Sequence, residues 1–182
     1  LTVISAGTPM WRGGLSAPLS LFVHADRPLI SENATSTLLH EVMHMALGLR
    51  AKPNSDWIVE GLAEFYSLEL LRRSGTITAA RYQQAQRDQA QWANSADLLC
   101  TRRSSGATTA LAVTILAALD AEMRESSGGT FSLDDVTREL LSRGPSIGVA
   151  DLRASVEHIA DRKSDTLHIS RLPGCRTMST PD

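Results

Sequence analysis

Lysine is nearly absent from this chain. Lys52 and Lys163 are the only two, and the other basic residues are arginines that form no stripe. With a net charge of −2, this leaves no electrostatic footprint for a nucleic-acid partner. Long apolar runs are missing too: none approaches the roughly 18–20 residues that span a bilayer. The longest, residues 110–119, contains Thr114 inside a helical pattern, so a core helix is expected there and no membrane span. Cysteine is scarce. Cys100 and Cys175 are too few to prove a disulfide framework, which favours two unrelated thiols but leaves open a bridge in an oxidising compartment. No internal repeat or low-complexity segment is visible. The chain has no initiator methionine or signal-peptide pattern and opens at Leu1 like mid-domain sequence; a processed protein or a piece of a longer one is expected. What remains is ordinary. At 182 residues, 42% hydrophobic and 21% charged, it has the composition of one soluble globular domain with a substantial core.

Turn residues and periodicity divide the chain into a strand region (1–30), a helical part (31–165) and an irregular tail (166–182). Residues 1–4 and 19–23 are β-favouring runs, separated by Gly7, Pro9, Gly13, Gly14 and Pro18. The second run is either an edge strand, open to pairing with an extended peptide, or an ordinary interior strand. Asn33 or Thr35 then caps a helix that Gly48 ends, apolar nearly all round and so expected to be buried. Further helices are expected over 56–73, from Thr78 to about Leu99, and over 105–125, 132–141 and 149–160. The third of the six is rich in glutamine and reads as a surface helix. The fold class expected is α+β, mostly α: a short strand region followed by a helical bundle.

The most informative residues are His40-Glu41-Val42-Met43-His44. Positions four apart share a helix face, so His40 and His44 can direct their imidazoles at one metal ion, with Glu41 one step round as a base toward water. Catalytic zinc takes three protein ligands. The third is found sixteen residues on, where Glu60 stands in an otherwise apolar helix. Glu64, one turn further, is placed to accept the free ring N–H of a ligand histidine. A lone His-Glu-x-x-His is a weak signal, and a Glu pair four apart is usually a solvated face. Together, among apolar neighbours, they point to one site. His24, His158 and His168 read as structural or solvated.

Together with Trp57-x-x-Glu60-Gly61-Leu62-Ala63-Glu64-x-Tyr66, the motif resembles the gluzincin metallopeptidases, and more narrowly the glycyl-aminopeptidase family. The likeness runs over roughly residues 36–140, including Ser105-Gly106-Ala107 and 127–136. It implies a zincin-like catalytic domain that hydrolyses peptide bonds, with a peptide or protein substrate, one Zn²⁺ on His40, His44 and Glu60, Glu41 as general base, and Glu64 supporting a ligand histidine. It also leans towards a secreted or periplasmic location. Two departures stand out. The family often has a tyrosine three residues before the glycine corresponding to Gly106, where its hydroxyl stabilises the oxyanion; this chain has Arg103. A guanidinium can serve, or Tyr66 or His158 can take the role, or Arg103 is a surface residue. Members also usually carry a larger strand region before the motif and often a peptide-binding module after it, and these 182 residues have room for neither. The competing readings are a peptidase homologue with a structural or degenerate site, and a helical interaction domain without metal. Retention of Glu41 speaks against the first, because a structural site has no use for a base beside its metal.

Overall fold

The computed structural model of the protein describes residues 1–8 and 13–175. Pro9 and the part of the tail beyond Cys175 lie outside the described residues. Strands β1 (Thr2–Ala6), β2 (Gly14–Ala17) and β3 (Ser20–His24) form one sheet in the order β1-β3-β2. β1 runs parallel to β3, and β2 runs antiparallel to it. Pro18 and Leu19 close the β2–β3 hairpin, with Leu19 in the left-handed region at φ 56°. The segment 19–23 is therefore an interior strand: β3 is paired on both sides, and Leu21 is buried. The strand with a free edge beside the helices is β2, which Gly13 and Gly14 had disguised as a turn.

Helices α1 (Thr37–Leu47), α2 (Asp56–Arg73), α3 (Ala79–Ala93), α4 (Gly106–Ser126), α5 (Leu133–Ser142) and α6 (Val149–Ala160) follow. A two-residue parallel pair, β4 (Arg50–Ala51) with β5 (Ser146–Ile147), ties the end of α1 to the start of α6. The class is α+β and mostly helical. Local chemistry sets most boundaries. Ser36, rather than Asn33 or Thr35, caps α1 by accepting the Leu39 N–H, while Asn33 Oδ1 takes the N–H and hydroxyl of Thr35. Gly48, at φ 60°, ends α1 and donates its N–H to the His44 carbonyl. Helix α3 stops at Ala93, short of Leu99, and just beyond it the Ser95 hydroxyl donates to the Trp92 carbonyl. Ser132 and Asp135 form a capping box at α5.

Helix α2 is the centre of the fold. Twelve of its 18 residues are buried, and the unbroken run 61–69 is covered all round, by α1 on one side and α4 on another. Gly61 permits a close approach to α4: a Cβ there would lie 2.7 Å from the Ala112 methyl. Helix α1 is less covered than its composition indicated. Only Glu41 on it is fully buried, because one flank faces an open cleft. By length and composition alone α4 is long and apolar enough to cross a membrane, more than the 110–119 run had indicated. Here Ala112, Val113, Leu116, Leu119 and Met123 are buried against the other helices.

Cys100 and Cys175 form a disulfide, with Cα atoms 4.9 Å apart, so they are not unrelated thiols. Leu99 N–H donates to the Pro173 carbonyl beside it (2.8 Å), and Leu167 and Leu172 are buried. The tail up to Cys175 is thus part of the core. Cross-linking residues 75 apart stabilises by roughly 4 kcal/mol in the chain-entropy account.

Candidate metal centre

Helices α1 and α2 meet at the cluster. His40 and His44, one turn apart on α1, bring their Nε2 atoms to 2.9 Å, with the rings nearly perpendicular at 79°. From α2, the two carboxylate oxygens of Glu60 reach them separately, Oε2 at 3.3 Å from His40 Nε2 and Oε1 at 3.4 Å from His44 Nε2. One atom from each residue lies within 4.8 Å of the others. Ligands about 2.0–2.1 Å from a tetrahedral zinc stand about 3.3 Å from one another. The donor set and its spacing therefore fit the ion that the motif implies.

Glu64 lies behind His40. Its Oε2 is 3.0 Å from His40 Nδ1, where it accepts the ring N–H, so a neutral His40 presents its Nε2 lone pair to the cluster. Gln89 of α3 in turn donates from Nε2 to the other Glu64 oxygen (3.4 Å). Gln89 is 5% exposed, and its Oε1 is buried without a hydrogen-bond partner among the described residues. The sequence reading of α3 as a surface helix missed this residue. The available signal was its stripe: Tyr82, Ala85, Gln89 and Ala93 share one helix face, and all but Tyr82 are fully buried.

No lysine or arginine among the described residues pairs with Glu41, Glu60 or Glu64. Burial opposes a charge on His40, but hydrogen bonds to Glu60 and Glu64 outweigh it and push its pKa up to about 10. Burial also opposes charge on Glu60, yet His40 and His44 hold its carboxyl far below the usual carboxylate range. The cluster is a place that favours positive charge. Glu41 is 7% exposed, and its carboxylate makes no hydrogen bond with the described residues.

These side chains line a cleft of about 810 Å³ whose opposite walls include Gly14 and Leu15 of β2, Trp92 of α3 and Arg103. Of the three residues weighed as oxyanion donors, only Arg103 faces this cleft, exposed and free of ion pairs among the described residues. Tyr66 is buried elsewhere and donates its hydroxyl to Thr137 Oγ1 (2.9 Å). His158 is exposed on α6. His24 is a structural residue: it is buried, its Nδ1 accepts the Asp26 N–H (3.1 Å), and its Nε2 meets the Gly7 carbonyl. His168 is tied to Ser170 at the surface.

Comparison of the chain with known protein families, with curated proteins and with solved structures finds no match.

Proposed function

We propose that this chain is a zinc-dependent peptidase of the gluzincin kind, built on a zincin-like domain. The observation that carries the reading is the convergence of His40, His44 and Glu60 on one cleft, beside a buried Glu41 that makes no hydrogen bond among the described residues. Zinc held there supplies a Lewis acid and makes water a nucleophile near neutral pH. Glu41 takes the proton of the attacking water on its carboxylate and hands it to the leaving amine. Glu64 fixes the His40 tautomer and strengthens it as a ligand. Arg103 is the cation on the cleft wall for the developing oxyanion. The backbone of β2 offers an extended peptide an edge to pair with. An aminopeptidase-like preference rests on the family resemblance alone. The Cys100–Cys175 disulfide supports a secreted or periplasmic setting.

Elemental analysis of the purified chain and of Glu60→Ala tests the centre: about one zinc per chain is expected, lost or much weakened in the variant. A peptide-library digest with Glu41→Gln alongside tests the chemistry. The variant should keep zinc and lose on the order of 10²–10⁴ in rate. A chain that binds no zinc overturns the whole reading. One that binds zinc, cleaves nothing and is indifferent to Glu41→Gln is instead a non-catalytic peptidase homologue that binds peptides or a partner. The absence of the family tyrosine at Arg103 favours that second reading.

A further inference from the structure

Gly14 opens strand β2, paired with Val23 on the interior strand, and lines the cleft opposite α1. Its backbone is not in the left-handed region, so no turn geometry calls for glycine there. Space does. A Cβ on Gly14 would lie 2.4 Å from Glu41 Cγ, 2.6 Å from Oε1 and 2.8 Å from Cδ, closer than van der Waals contact allows. The clash begins at Cγ, which χ1 alone positions. Rotating the far end of the side chain cannot relieve it. On a helix the χ1 well near +60° is disfavoured. A side chain at position 14 would thus push Glu41 to a different χ1 and carry the carboxylate away from its present place. Glu41 is otherwise held by no hydrogen bond among the described residues, so the bare strand is the wall that sets its direction.

We propose that Gly14 is a positioning residue: its missing side chain lets the Glu41 carboxylate lie against β2, beside the His40–His44–Glu60 cluster. This rests on the reading of Glu41 as a base, but the contact itself can be tested without any activity. The test is a thermal-stability cycle on the metal-free protein with Gly14→Ala, Glu41→Ala and the double variant. With Glu41 present, Gly14→Ala should lower Tm by on the order of 5 °C through overpacking. In the Glu41→Ala background the same change should leave Tm level or raise it, since glycine inside a strand is the poorer residue. An equal effect in both backgrounds overturns the proposal. In the zinc-loaded chain, Gly14→Ala should keep about one zinc and lose roughly 10²-fold in kcat with KM little changed. A rise in KM with kcat intact would make Gly14 a substrate-contact residue and overturn the positioning role. A coupled Tm cycle in a chain that hydrolyses nothing would leave the Gly14–Glu41 contact standing and remove the peptidase reading alone.

Discussion

Glu60, Glu64 and Glu69 stand on the same helix, α2, and their charges are answered in different ways. Glu69 is 5% exposed and receives Arg72 (2.7 Å), Arg73 (2.8 Å) and the Tyr82 hydroxyl. Arg73 also reaches Asp134 of α5 at 2.8 Å, tying two helices together. Burial opposes the Glu69 charge, but these donors hold its pKa at about 2. Permanent cations leave nothing there for a ligand to do. Among the described residues Glu60 faces two imidazoles, and Glu64 an imidazole and the Gln89 amide, with a third carboxylate, Glu41, on the same cleft. One end of the helix is a finished salt-bridge network. At the other, three carboxylates share two histidines and no lysine or arginine among the described residues, the arrangement on which the proposed zinc site rests.

That contrast can be broken or sharpened, beginning with the largest effect. Zinc at a thousand times its Kd should stabilise the protein by about 4 kcal/mol in calorimetry, an effect lost on chelation. Glu69→Gln should retain that gain in full. Glu60→Ala should weaken zinc binding by more than the roughly 10–100-fold that loss of an outer-shell partner costs, read by competition with a chromophoric chelator. If Glu69→Gln instead disturbs zinc and Glu60→Ala does not, the division of labour along α2 is wrong.

For Glu69 the readout is pH. A folded pKa of about 2 against an ordinary 4.5 means that the unfolded chain binds the proton first. Its stabilisation, about 3 kcal/mol, is complete above pH 4.5 and lost as pH falls from there towards 2. Urea unfolding of metal-free protein across that window should be steeper in pH than that of Glu69→Gln, which is less stable at pH 7 by a similar amount. The smallest effect belongs to Gln89→Leu. By releasing Glu64 it should cost roughly tenfold in zinc affinity, and leave Tm within a few degrees. Unchanged affinity would reduce Gln89 to a packing residue.

Much of α1 and α2 was legible from the residues alone. His40 and His44 share a face because the helix repeats every 3.6 residues, and the same pitch aligns Glu60 with Glu64. The helix starts near 105 and 132 and the stop at Gly48 were legible for the same reason, since each signal works within a few residues. The α1 start was misplaced because Asn33, Thr35 and Ser36 all have capping side chains, and only the folded geometry selects among them. Gln89 was hidden because its partner lies 25 residues away on another helix.

Local spacing, then, determined which side chains stand together on each helix, and with them the ligand set proposed for zinc. Tertiary structure decided what depends on distant segments. It made β2 an edge strand beside α1 and put β3 inside the sheet, joined Cys100 to Cys175, turned Gly61 towards α4, and laid the bare Gly14 against Glu41. Helix pitch acts over four residues and is written into the sequence. Strand order, disulfide pairing and the approach of two backbones depend on how the whole core packs, which no short stretch of residues encodes.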